Sequence, residues 1–234
     1  MTRVRALIGV FLRSATSRAR LIVLALLGIL IVGLAFVVRN DTGADAPGEL
    51  IDRLGLTLVV PVGSLLIATG TLGQLRNEGS LIYVWLRPVS RGSIALASWI
   101  AALVIALPAT VVPLALAAAV AGGSSAVVAG TVLASAAGVV AYCGVFSLLG
   151  LLTRQAVIWG VAYVLVWEGV LAALGSGVNR LALRSYTRSV LERVGDVDLP
   201  LSGTSTAVSM VVLAGVACIT VALTALRLRR MDVE

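Results

Sequence analysis

Long apolar runs dominate this sequence and constrain its fold more than any other feature. Six of them are separated by short polar segments, at about 21–38, 54–72, 94–120, 126–152, 156–174 and 206–226. A helix needs about 20 apolar residues to cross a bilayer. Charged residues make up only 12% of the chain, against about a quarter in a soluble domain. The sequence therefore predicts an all-α, polytopic membrane protein with six transmembrane helices in one domain, 1–234.

The charged residues are unevenly divided between the two sides of this arrangement. All basic residues are arginines, and they lie between the apolar runs. If the polar segments alternate sides, one side receives twelve arginines and three acids, and the other receives six arginines and seven acids. By the positive-inside rule, both termini face the cytoplasm of a multi-pass protein in the cell membrane. This placement favours membrane lipids rather than nucleic acid as the partner of the positive charge.

The polar segments have expected structures of their own. Residues 1–20 place Leu7 and Phe11 at helical spacing among arginines, which predicts an amphipathic helix at the membrane interface. Residues 39–53 carry four acids with glycine and proline and are interpreted as a solvated loop. Residues 122–125 predict a tight turn between the third and fourth apolar runs. Within the second apolar run, Pro61 predicts a kink that neighbouring helices can accommodate.

Small residues in the fourth apolar run form a further pattern. Gly130, Ala134 and Gly138 recur every fourth residue. Such a ridge lets another helix approach closely.

Several kinds of chemistry are excluded by composition. The chain has no histidine, so His-dependent metal sites and triads are absent, and Cys143 and Cys218 both lie in apolar runs. Without lysine no P-loop can form. We therefore expect a non-catalytic chain that binds no metal and no cofactor of its own. Its energy would come from an ion gradient or from a separate ATPase.

The segment after the second apolar run carries two short motifs. Glu78, Gly79 and Ser80 precede a Pro-Val-Ser-Arg turn at 88–91. This pattern resembles permease subunits of type-2 ABC exporters, in which a Glu, a Gly-Thr or Gly-Ser step and a Pro-Val-Ser-Arg-like turn lie between the second and third helices. The resemblance covers essentially the whole chain, because the basic first helix, the spans, the long outer segment and the Arg-rich tail are shared. Family members often carry a lysine where this chain has Ser98.

The resemblance implies the type-2 ABC exporter permease fold and a coupling role for residues 73–93. The residues expected to couple to the ATPase are Glu78, Gly79, Ser80, Trp85, Arg87, Pro88, Ser90 and Arg91. The chain would pair with a second permease copy or a paralogue and with two ATPase subunits, which bind ATP and Mg. The translocation path would lie at the permease dimer interface. Without the resemblance, residues 73–93 could also form an amphipathic loop helix that rests on the bilayer, with Trp85 as its anchor.

A gradient-driven secondary transporter or channel is the alternative function. Such a protein would need ionisable or broken-helix sites near the membrane midplane, and Glu168 is the only acid in a predicted span. Glu168 is interpreted either as a gate, substrate or proton site, or as a hydrogen-bonding partner of a neighbouring helix. An intramembrane protease is not expected, because histidine and a membrane aspartate are missing.

The segment 175–205 carries an arginine ladder. Arg180, Arg184 and Arg188 recur at helical spacing, with Glu192 four residues further on. This pattern predicts an amphipathic helix on the outer surface. The ladder is interpreted either as a contact for anionic lipid headgroups or an exported anionic substrate, or as a solvated face with an Arg188–Glu192 pair.

Overall fold

A computed structural model describes residues 2–39, 46–77, 90–170, 182–199 and 204–230, and every regular element within these ranges is helical. The elements are α1 (Thr2–Ala15), α2 (Arg18–Val38), α3 (Ala46–Leu50, a π-helical segment Ile51–Val59, and Val60–Asn77), α4 (Arg91–Val120), α5 (Ser125–Leu152), α6 (Ala156–Ala162 and a π-helical segment Tyr163–Val170), α7 (Leu183–Gly195) and α8 (Thr206–Arg230).

Five of these helices, α2, α3, α4, α5 and α8, are long and apolar enough to cross a membrane. Together they confirm the prediction of an all-helical, multi-pass membrane protein. Helix α6 corresponds to the predicted span 156–174 and is described as far as Val170. Its described length is about 22 Å, less than the roughly 30 Å of a hydrocarbon core. The sixth span therefore stays a prediction.

Helices α2 to α5 alternate in direction, since the start of α2 meets the end of α3 and the start of α4 meets the end of α5, so that the bundle has two chemically different ends. At one end, Leu7 and Phe11 of α1 pack with Ile94 at the start of α4 and Leu151 at the end of α5. We call this the Arg-rich end. The arginines at this end whose side chains the structure describes are Arg13, Arg18, Arg20, Arg76, Arg91, Arg154, Arg227, Arg229 and Arg230. Among the described residues it carries no acid, whereas the opposite end mixes acids and arginines.

The first helix differs from the expectation of an interfacial helix over 1–20. Helix α1 ends at Ala15, because Ser17 takes an extended backbone conformation before α2 begins at Arg18. Leu7 and Phe11 are buried against α3 and α4. The apolar face of α1 is therefore covered by protein along these residues, where the sequence predicted contact with lipid.

Helix α3 begins earlier than the predicted span 54–72 and replaces part of the predicted loop 39–53. It starts at Ala46 and is π-helical just before Pro61. In that segment the backbone N–H of Val60 donates to the carbonyl of Gly55, five residues earlier. Proline has no N–H to donate and disturbs the preceding turn. The expected kink at Pro61 thus takes the form of a widened helical turn.

Helix α5 lies at the centre of the bundle and packs against α3, α4, α7 and α8. The predicted ridge of small residues lets α7 approach closely, as expected. A Cβ atom added to Gly130 would lie 2.7 Å from the backbone nitrogen of Gly195, and Ala134 is fully buried. Towards the Arg-rich end, Gly150 touches Gly73 of α3 in the same way. Direct backbone contact, with no side chain in between, sets the distance of α5 from α7 and of α5 from α3.

We predict that Gly130→Ala destabilises the protein. The added methyl group would meet backbone atoms of Gly195, which cannot move aside without shifting α7. Overpacking of this kind costs about 1–3 kcal/mol. The measurement is the thermal unfolding midpoint of the purified protein in detergent.

The matched control is Gly215→Ala in α8, where a Cβ atom would meet nothing within 4 Å. That variant should be as stable as the parent protein or more so, because alanine favours helix more than glycine does. Equal midpoints for the two variants would contradict the close contact between α5 and α7.

Candidate functional site

A buried ion cluster joins α3 to α7 in the half of the bundle that lies away from the Arg-rich end. Arg188 Nη2 lies 2.9 Å from Asp52 Oδ2, and Arg184 Nη2 lies 3.4 Å from the same oxygen. The Asp52 side chain is 2% exposed, and those of Arg184 and Arg188 are 22% and 17% exposed. One carboxylate thus faces two guanidinium groups, and the cluster has a net charge of +1.

Local backbone structure brings these side chains together. Asp52 lies in the π-helical segment of α3, between the fully buried Ile51 and Leu56. Arg184 and Arg188 are four residues apart and therefore lie on one face of α7. That face is held against the bundle by the contact between Gly195 and Gly130. The cluster therefore depends on both the widened turn in α3 and the close packing of α7.

The cluster is only partly satisfied by hydrogen bonds. Asp52 Oδ1 and the Nε atoms of Arg184 and Arg188 are buried without a hydrogen-bond partner in the described structure. Burying polar atoms without partners costs free energy. By contrast, the Arg53–Glu49 pair nearby, at 3.3 Å, is exposed and contributes little. The buried cluster is therefore the arrangement of charges whose loss would matter most.

The structure changes the interpretation of three charged residues. Asp52 was expected in a solvated loop and is instead buried. Arg188 pairs with Asp52 rather than with Glu192, so the solvated-face interpretation is wrong for Arg184 and Arg188. Arg180 lies outside the described residues. A contact of the ladder with lipid headgroups or an anionic substrate stays a prediction.

A sequence signal for this burial exists. Arg184 and Arg188 lie on the same helical stripe as Leu191 and Gly195, both buried in α7. Likewise, Asp52 lies on one stripe of α3 with Leu56 and Val59, which are both buried. When an aspartate on one helix and two arginines on another helix each continue an apolar stripe, the pattern predicts an internal ion pair.

Of the predicted coupling residues, the structure describes two. Ser90 is the N-cap of α4, and its hydroxyl accepts a hydrogen bond from the backbone N–H of Ser93 at 3.2 Å. Arg91 is the first residue of α4 and is half-buried. The others lie outside the described residues: Glu78, Gly79, Ser80, Trp85, Arg87 and Pro88. The serine of the Pro-Val-Ser-Arg turn thus has a defined local role, which is to start α4.

Glu168 lies in the π-helical segment of α6, and its side chain is outside what the structure describes. The start of that segment packs on α5 through Tyr163, whose ring meets Phe146 edge-on at 6.2 Å. Both interpretations of Glu168 stay predictions. The π-helical turn itself was not expected from the sequence, and such turns occur frequently at functional sites.

Sequence reasoning also missed a polar cleft at the Arg-rich end. Arg20 Nη1 donates to Gln74 Oε1 at 2.9 Å and to the carbonyl of Ser14 at 3.2 Å. Its guanidinium lies over Gly70, where any side chain would collide with it. The adjoining cleft has a volume of about 250 Å³ and includes Arg154. Arg20 therefore ties the α1–α2 connection to α3.

Within the described residues, no three Cys, Asp or Glu side chains come together as metal ligands would. Asp52 pairs with two arginines, which is the arrangement of a structural ion cluster rather than of a pair of catalytic carboxylates. The described chain thus has the features of a multi-pass helical membrane protein with an internal ion cluster.

Comparison of the chain with protein-family models and with curated proteins finds no match. The type-2 ABC exporter resemblance therefore rests on the Pro-Val-Ser-Arg segment and on the layout of the chain.

We predict that Asp52→Asn destabilises the protein. The substitution keeps the shape of the side chain but leaves Arg184 and Arg188 without a counter-charge. Removing one partner of a buried ion pair costs about 3–5 kcal/mol, and the partial exposure of both arginines places this case near the lower limit. The measurement is the thermal unfolding midpoint in detergent.

Asp198→Asn is the matched control, because Asp198 is an exposed acid in the same half of the bundle. Its midpoint should equal that of the parent protein. Arg188→Gln should also cost more stability than Arg184→Gln, in line with the shorter distance from Arg188 to Asp52. An Asp52→Asn protein as stable as its control would show that the cluster does not hold α7 in place.

Proposed function

We propose that this chain is the membrane-spanning permease subunit of a type-2 ABC exporter. In this proposal it forms the translocation path with a second permease copy or a paralogue. Separate ATPase subunits bind ATP and Mg and supply the energy. The chain itself carries no catalytic group and binds no cofactor.

The observation that carries the proposal is the position of the Pro-Val-Ser-Arg turn relative to α1 and α4. The turn ends at Ser90 and Arg91, where α4 begins at the Arg-rich end. Three residues later, Ile94 is buried against Leu7 and Phe11 of α1. A force transmitted to Ser90 and Arg91 would therefore reach α1 and α4 together. This arrangement suits a segment that transmits ATPase movement into a bundle.

Charge supports the same orientation. At the Arg-rich end the structure describes nine arginine side chains and no acidic one, which by the positive-inside rule suits the cytoplasmic side of the cell membrane. An ATPase subunit would be found on that side. Both α1 and the end of α8 lie there, as expected for two cytoplasmic termini.

One observation favours the alternative of a gradient-driven transporter. Asp52, Arg184 and Arg188 form a buried ionisable cluster beside a π-helical turn. Secondary transporters use ionisable groups and broken helices near the bilayer midplane. Thr187, which lies between the two arginines on α7, packs against Gly138 in the middle of α5. The exporter proposal takes precedence because it also accounts for the Pro-Val-Ser-Arg motif at the start of α4, and ATPase binding distinguishes the two functions.

We predict that an ATPase subunit, to be identified by a P-loop in a neighbouring reading frame, co-purifies with this chain through residues 78–89. The two proteins would be co-expressed, the permease would be affinity-purified in mild detergent, and the bound ATPase would be quantified. Scrambling residues 78–89 should abolish co-purification. The flanking Gly73 and Ser90 stay unchanged, because Gly73 packs against Gly150 and Ser90 caps α4.

Single charge reversals provide a sharper version of this test. Arg87→Glu should weaken ATPase retention, because it would repel the carboxylates that meet this segment. Arg39→Glu is the matched control, since Arg39 is exposed and follows α2 at the opposite end. Full retention by the scrambled protein would refute the coupling role. A parent protein that retains no ATPase yet transports with a gradient would support the alternative.

A further inference from the structure

An apolar groove runs along the outside of the bundle between α2 and α4. Its volume is about 670 Å³, and its lining includes Leu21, Ala25, Gly33 and Phe36 of α2. Pro113 of α4 also lines the groove. From Leu21 to Phe36 the groove is about 22 Å long. This length exceeds the roughly 15 Å that one leaflet contributes to the hydrocarbon core.

Contact between the two helices forms the floor of the groove. A Cβ atom added to Gly28 would lie 3.1 Å from Cγ of Pro113, so these residues already touch. Gly33 is different, because a Cβ atom there would meet nothing within 4 Å. The groove is therefore closed at its floor and open to the membrane beside Gly33.

A positive charge lies at one end of the same groove. Arg18 is the first residue of α2 and is exposed. It precedes Leu21 by three residues and Ala25 by seven, so it lies on the helical stripe that lines the groove. Long arginine side chains extend towards the membrane interface. The positive end of the α2 dipole is at the same place.

We propose that this groove binds an anionic phospholipid, with one acyl chain between α2 and α4 and the phosphate held by Arg18. The wholly apolar lining residues match a hydrocarbon chain. The charge at the groove's end matches a phosphate, which basic residues beside membrane helices attract. The sequence pointed to Arg180, Arg184 and Arg188 for a lipid contact; that contact stays a prediction, and the groove between α2 and α4 is a separate site. This site does not depend on the proposed exporter function.

Native mass spectrometry of the full chain tests the proposal. The protein would be purified in detergent with equal amounts of phosphatidylglycerol and phosphatidylcholine that carry the same acyl chains. The parent protein should retain phosphatidylglycerol preferentially. Arg18→Gln should lower that preference about fivefold, the effect expected for one basic residue near the surface. Arg39→Gln, at the other end of α2, should leave it unchanged.

A second pair of variants tests the acyl-chain site. Gly33→Leu would place an apolar side chain in the groove at a position where its Cβ atom meets nothing within 4 Å, and it should reduce retention of both lipids. Gly215→Leu is its control, because Gly215 in α8 also has open space around it and lies outside the groove. Gly33→Leu keeps the helix apolar, and its thermal midpoint would show whether it folds. If it does not fold, the two arginine variants decide alone.

Three outcomes would overturn the proposal. The first is a parent protein that shows no preference for phosphatidylglycerol. The second is an equal loss of preference in Arg18→Gln and Arg39→Gln, which would mean that any terminal charge suffices. The third is a Gly33→Leu protein that keeps its lipids but changes from dimer to monomer. That result would assign the groove to a helix of a second copy of the chain.

Discussion

Close packing of backbone on backbone along α5 is the constraint on which the rest of the bundle depends. In a bilayer there is no hydrophobic driving force between helices, so association depends on van der Waals packing and small residues. Gly130 brings α7 against α5 at one end, and Gly150 brings α3 against it at the other. Helices α3 and α7 are thereby placed so that Asp52 meets Arg184 and Arg188. The ion cluster is thus a consequence of the glycine contacts.

Much of the fold could be predicted from sequence, because the bilayer restricts a chain of apolar runs to a small set of structures. The tight turn predicted at 122–125 is found at 121–124, between α4 and α5, and the ridge at Gly130 has its predicted role. The start of α3 could not be predicted. Residues 46–53 contain proline, glycine and acids, which are typical of loops, yet tertiary packing of Gly48 on Val197 holds them in a helix.

The candidate site was harder to predict than the fold. The spacing of Arg184 and Arg188 predicted a helix but not which way its charged face points, because that depends on a partner 132 residues away in sequence. The cleft at Arg20 depends in the same way on Gln74 of α3. The capping role of Ser90 was not predicted, although a serine before a helix is a strong local capping signal. Residues that are distant in the sequence therefore determine the side-chain directions that local sequence patterns do not determine.

The central claim is that the Arg-rich end faces the cytoplasm, where a separate ATPase would bind. Cysteine labelling tests it most directly, in a background with Cys143→Ala and Cys218→Ala. Gln155→Cys would report on the Arg-rich end and Asp198→Cys on the opposite end, since both positions are exposed. In sealed right-side-out vesicles, an impermeant maleimide should label Asp198→Cys at once and Gln155→Cys only after permeabilisation. Labelling of Gln155→Cys in sealed vesicles would contradict this orientation and the proposed docking face.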